Sequence, residues 1–64
     1  MKDNRRKAII NAAFQIFVEK KIEPVSMGEI AELAGVGRAT LFRYYPNKLE
    51  LVIAVCAAKW KEYL

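Results

Sequence analysis

The stretch from Ser26 to Lys48, SMGEIAELAGVGRATLFRYYPNK, constrains this chain most, because it packs two helix starts, a glycine stop and a proline corner together. Ser26 followed by Glu29 has the capping-box spacing that opens a helix. Ile30, Ala31, Leu33 and Ala34 then fall on one helical face. Gly35 ends that helix, since the left-handed conformation after a last turn costs glycine almost nothing. Val36 is the buried link across the turn. From Gly37 a second helix turns Leu41 and Tyr45 inward and carries Arg38, Thr40, Arg43 and Tyr44 outward. The small Ala31 lets the two helices cross closely, and Leu41 fills the crossing. This spacing is the pattern of a helix-turn-helix, whose second helix enters the DNA major groove.

Taken with its flanks, the stretch resembles the N-terminal DNA-binding domain of the TetR family of bacterial transcription regulators. The resemblance is carried by Ile9-Ile10, Ala12-Ala13 and Ile16-Phe17, by Ile30-Ala31, by Ala34-Gly35-Val36, and by Thr40-Leu41-Phe42 leading to Tyr45 and Lys48. It covers nearly the whole chain in one register. It implies an all-α, homeodomain-like three-helix bundle over residues 1–48, with helices at about 3–20, 26–34 and 37–45. A fourth helix within 47–64 is expected to pack on that bundle. In the resembled family this helix leads to a larger helical domain that binds a small-molecule effector and forms a homodimer, and nothing of that domain is expected among these residues.

Composition agrees with one small helical domain. The chain has 64 residues, 55% of them hydrophobic, with only three glycines and two prolines. So short a chain buries proportionally little surface and supports a single, marginal core. A net charge of +4 favours a polyanionic partner. A single cysteine, Cys56, and no histidine leave no disulfide framework, no metal-ligand set and no catalytic dyad, so neither cofactor nor enzyme activity is expected. The longest apolar run, Leu51 to Ala58, is far below the ~20 residues that span a bilayer. No signal-peptide core follows the charged start. The expected compartment is cytoplasmic, with no membrane partner.

In chain order, Met1 to Lys7 is a basic arm in which Asp3 or Asn4 caps the first helix and Arg5 and Arg6 face phosphates. Ile9, Ala13, Ile16, Phe17 and Lys20 form its stripe, widened by Ile10 and Phe14. Relatives in the resembled family often end this helix on a glycine where Lys21 stands, so here another stop is expected, supplied by Pro24. Ile22 and Val25 are expected to tuck under the connection. In the last helix, capped by Asn47 with Glu50 three residues on, the core stripe is expected to be Leu49, Val52, Ile53, Cys56 and Trp60. Leu51, Val55, Ala58 and Tyr63 are then left on other faces.

The expected base-reading residues are Arg38, Ala39 and Thr40 in the first turn of the second helix of the motif. Arginine suits guanine, and a threonine methyl or alanine suits the thymine methyl. The expected phosphate contacts are Ser26, Arg43, Tyr44, Lys48, Arg5 and Arg6. Lys48 enters by resemblance to the family's phosphate-gripping lysine. Phe42 stands where the family usually has tyrosine, so Tyr44 is expected to supply the hydroxyl. The function these residues imply is sequence-specific binding of double-stranded DNA, in the family mostly a palindromic operator held by a repressor. The alternative is a small helical protein-interaction module using the apolar fourth helix. A membrane-surface role is disfavoured, because only Lys59 and Lys61 flank that helix's apolar face.

Overall fold

The computed structural model describes residues 4–61 and contains four helices: α1 (Asn4–Lys20), α2 (Met27–Ala34), α3 (Arg38–Tyr44) and α4 (Lys48–Trp60). Among the described residues there is no strand, as an all-α chain requires. The expectations for Lys2, for Asp3 as a cap and for Tyr63 lie outside the described residues.

The core forms where α1 supplies small and branched side chains at helical spacing. Ile9, Ile10, Ala13, Ile16 and Phe17 of α1 bury against Val25, Ile30, Ala31, Leu41, Leu51 and Val55. The most completely enclosed side chains are Ile9, Ile30, Leu41, Leu51 and Val25, at least one from every helix and one from the first connection. Each fully buried aliphatic side chain of this kind is worth about 1.5–3 kcal/mol. For a domain of this size, the loss of one is a large share of the whole stability.

The α2–α3 unit follows the sequence pattern closely. Ser26 Oγ accepts from the Glu29 backbone N–H at 3.1 Å, and Glu29 Oε1 accepts from the Ser26 N–H at 3.0 Å, which completes the capping box. At the other end Gly35 is left-handed, with φ 76°. Its N–H reaches the Glu32 carbonyl and the Val36 N–H reaches the Ala31 carbonyl, at 3.2 and 3.0 Å. That is the Schellman arrangement, which satisfies two carbonyls a helix end would otherwise orphan. Gly37 then caps α3 through its backbone alone, with no side-chain bond. Leu41 is the one residue of α3 that is fully buried, and it holds the helix on the bundle.

Several expectations are corrected here. First, α1 does not end through Pro24: Lys21 itself takes the left-handed conformation, with φ 71°, and its N–H reaches the Phe17 carbonyl at 2.8 Å. The chain thus makes with a lysine the cap that a glycine makes without strain. Second, of the two residues expected to tuck under the connection, Val25 is buried but Ile22 is exposed. Leu33, assigned to the apolar face of α2, is exposed as well.

Third, α4 is rotated from the expected stripe, of which Val52 alone packs against the core. Leu51 and Val55 are buried, with Val52 and Ala54 packed against the core. Leu49, Ile53, Cys56 and Trp60 are exposed, Leu49 at 67% and Trp60 at 65%. Apolar residues recur at helical spacing on both faces of this helix, so periodicity alone does not choose between them. What chooses is the anchoring of its first turn. Asn47 Oδ1 caps the helix by accepting from the Glu50 N–H at 2.9 Å, and the Lys48 side chain is tied to the α1–α2 connection. With Lys48 turned inward, Leu51, Val52 and Val55 follow on its side of the helix.

Candidate nucleic-acid interface

Two groups of polar side chains flank α3. The first lies where the start of α1 meets the body of α3. Arg5, Arg6, Thr40, Arg43 and Tyr44 line one shallow polar depression. Helix α1 reaches α3 here because its first turns run past the bundle that Ile9 and Ile10 anchor. Arg6 stacks its guanidinium over the Tyr44 ring, 5.7 Å from the centroid, a cation–π pair that orders both side chains. Tyr44 is half-buried: its ring packs against the core and lies 6.4 Å from that of Tyr45. Tyr44 therefore serves the fold as well as the surface, although the sequence pattern assigns it outward alone.

The second group lies at the start of α2. Ser26 is exposed, and its oxygen is engaged as the cap acceptor, which leaves the hydroxyl hydrogen as a donor. Glu29 closes the box and also meets Lys20 at 3.3 Å. The backbone N–H of Ser26 is the main cause that lowers the Glu29 pKa below the ordinary carboxylate range, with the Lys20 hydrogen bond next. Arg38 reaches across from α3 to this turn, its guanidinium lying over Gly28. Ala39 is exposed beside it.

Lys48 turns its side chain onto the α1–α2 connection. Its ammonium donates to the carbonyl oxygens of Ile22, Glu23 and Val25 at 2.9, 2.9 and 2.8 Å. An ammonium has three donors, and these three bonds use them all. In this structure its side chain is a clasp between α4 and the first connection. A lysine in a helix's first turn opposes the dipole, and that conflict was the legible signal of a special role. The identity of its partners was not legible: they are carbonyls that Pro24 and the turn leave without helical donors.

Pattern reading also missed three contacts. The Arg38 guanidinium lies against Gly28, and Lys59 joins α4 to α1 by donating to Asn11 Oδ1 at 3.2 Å and lying 4.9 Å from the centre of the Phe14 ring. Among the described residues no group of histidine, cysteine, aspartate and glutamate is placed to hold a metal ion, and no helix is long and apolar enough to cross a membrane.

A short α2, a Schellman turn and a basic, exposed start to α3 define a helix-turn-helix domain of the kind transcription regulators use. Residues 9–55 match the family described as bacterial regulatory proteins, tetR family. The chain belongs to that family, and carries its helix-turn-helix DNA-binding domain. It is similar to the HTH-type transcriptional activator FasR of Mycolicibacterium smegmatis, 39% identical over 54 residues, which cover 84% of this chain and 25% of that protein. The HTH-type transcriptional repressor LfrR of the same species is 37% identical, over 84% of this chain and 28% of its own length. The HTH-type transcriptional regulator RutR of Escherichia coli is 41% identical, over 80% of this chain and 24% of its own. The chain thus spans about a quarter of the curated relatives it matches. These relatives are regulators of transcription, not enzymes. No solved structure matches the chain.

Proposed function

We propose that this domain reads duplex DNA sequence-specifically, with α3 in the major groove. The observation that carries the reading is the convergence of Arg5, Arg6, Thr40, Arg43 and Tyr44 from two helices on one depression beside α3. Arg5, Arg6 and Arg43 on one depression set up a positive potential that favours a polyanion. A phosphate backbone passing along α3 is such a polyanion, with charges at regular spacing. Arg5, Arg6, Arg43 and Tyr44 are then backbone contacts, as is the Ser26 hydroxyl at the start of α2, where helix N–H groups also face the anion. Arg38, Ala39 and Thr40, in the first turn of α3, face base edges.

The mode we adopt is repression by occupancy of a palindromic operator in the cytoplasm, as a homodimer. LfrR and the Rhodococcus jostii regulator KstR are repressors by name, whereas FasR is an activator. Two heads in a dimer would engage half-sites about 34–36 Å apart, one turn of DNA. The relatives' greater length supports a further domain that pairs the heads and receives a small-molecule effector.

The test is an amide NMR titration with a mixed-sequence duplex at low and moderate salt. Shifts centred on Ser26, residues 38–44 and Arg5–Arg6, and weakening with salt, are expected. Shifts confined to α4 on adding protein partners, with none on adding DNA, would favour the second reading, an interaction module. That reading draws on Leu49, Ile53 and Trp60, which α4 leaves exposed.

A further inference from the structure

A glycine in a short helix is less favourable than alanine. Gly28 is such a glycine in α2, with neither a turn nor a positive φ to require it. The space beside it supplies the reason. A Cβ built on Gly28 would lie 2.7 Å from Arg38 Nη2, 3.0 Å from Nε and 3.1 Å from Cζ. Carbon atoms do not approach a guanidinium so closely. The place where any other residue begins its side chain is filled by the flat face of Arg38, which arrives from the next helix.

We infer that Gly28 is a positioning residue: its missing side chain is a notch that seats Arg38, and the seat sets which base pair Arg38 reads. The inference rests on the proposed reading of DNA and extends it to a residue that touches no base. Three features of the site support it. The Arg38 guanidinium is exposed, makes no hydrogen bond or ion pair among the described residues, and lies against Gly28. Its five donors are therefore available to an acceptor from outside. It also lies at the positive end of α2, where a cation is disfavoured until a partner with negative charge or acceptor oxygens arrives.

An arginine side chain has many rotamers, and much of that freedom is lost when it is fixed on a ligand. A notch that restricts it beforehand lowers that loss and aims the fork. The bidentate pair with guanine O6 and N7 is the contact that rewards such aiming, because it needs both donors in one plane. In a free-swinging arginine the same chemistry would spread over neighbouring base pairs.

Gly28→Ala tests this cleanly, because alanine improves the helix while filling the notch. The chain, G28A, Arg38→Ala and the double variant would be titrated with a duplex that the unaltered chain selects from a pool with randomised central base pairs. The same duplex would be tested with each base pair changed singly. R38A is expected to weaken binding about tenfold, the equivalent of 1.4 kcal/mol, and to erase discrimination at one base pair. G28A should lose discrimination at that same base pair, and in its background removing Arg38 should weaken binding less than threefold. Its melting temperature should equal or exceed that of the unaltered chain. If R38A costs the same in both backgrounds, or G28A leaves discrimination intact, the notch does not aim Arg38 and the inference falls while DNA reading stands. If the pool yields no preferred duplex, the DNA reading fails by itself. The seat is then judged on the free protein: an Arg38 Nε–H signal that is the same in G28A as in the unaltered chain would overturn it.

Discussion

The Lys48 ammonium donates to the carbonyl oxygen of Val25 at 2.8 Å, joining two residues 23 positions apart. With the parallel bonds to Ile22 and Glu23 it gathers the whole α1–α2 connection onto the first turn of α4. That connection lacks the hydrogen bonds a helix would give it, and its one buried side chain, Val25, sits in the core beneath the clasp. The lysine thus fixes the approach of α4 and, through Val25, the start of α2.

Lys48→Met keeps most of the aliphatic stem and removes the three donors. Hydrogen bonds to charged groups contribute about 1.5–3 kcal/mol each where buried. These are partly exposed, so a total loss of about 1–3 kcal/mol is expected. For a domain of this size each kcal/mol moves the melting temperature by roughly 4–8 °C. Thermal melts of K48M beside the unaltered chain check this. A variant with unchanged melting temperature but weaker DNA binding would return the side chain to the phosphate surface.

The face that α4 buries is tested by a pair of leucines two residues apart. Leu51 is fully enclosed and Leu49 is 67% exposed. Leu51→Ala should cost about 2–5 kcal/mol, enough to unfold a chain with so small a core. Leu49→Ala should change stability by about 0.5 kcal/mol or less. Urea denaturation of the two variants distinguishes them, and equal losses would mean that α4 packs in another rotation.

These two residues also mark what could be read from the sequence. The helix-turn-helix was legible because each of its signals is local: Ser26 and Glu29 within one turn, Gly35 at a helix end, Leu41 at helical spacing from its own cap. The rotation of α4 was not, because Leu49/Ile53/Trp60 and Leu51/Val55 are comparable stripes, and the deciding bonds come from Ile22, Glu23 and Val25, far back in the chain. The candidate interface was legible in the same uneven way. Residue types and the motif pointed to Arg38, Thr40 and Arg43, whereas the seat on Gly28 and the stacking of Arg6 on Tyr44 need the crossing of two helices. No spacing rule within one helix encodes them.

The end of α1 offers a stabilising change. Lys21 holds a left-handed conformation at φ 71°, which costs a residue with a Cβ roughly 1–2 kcal/mol. Glycine relieves that strain but loses about 0.5–1 kcal/mol through the freedom of the unfolded chain. Lys21→Gly should therefore raise stability by about 0.5–1 kcal/mol, visible as a higher denaturation midpoint with unchanged slope. Lys21→Val should lower it, because a β-branched side chain tolerates this conformation least.

Acid should weaken the start of α2 through Glu29. Its carboxylate accepts from the Ser26 N–H and meets Lys20, and both interactions hold its pKa below the ordinary carboxylate range. A pKa lower in the folded than in the unfolded chain means that the unfolded chain binds the proton more readily. The stabilisation is then complete above the ordinary glutamate pKa and is lost as pH falls through the depressed one. Glu29→Gln keeps an acceptor at the third helical position, which still suits a capping box, but has no proton to take up. Melting temperatures of the unaltered chain and E29Q should differ by a constant amount at neutral pH, in favour of the unaltered chain. As the pH drops below about 4.3, the unperturbed glutamate value, that advantage should shrink. Ser26→Ala removes the cap acceptor, at a cost of about 1 kcal/mol, and it should persist at acid pH because a serine oxygen does not titrate there. A gap between the unaltered chain and E29Q that is independent of pH would mean that Glu29 contributes through shape alone.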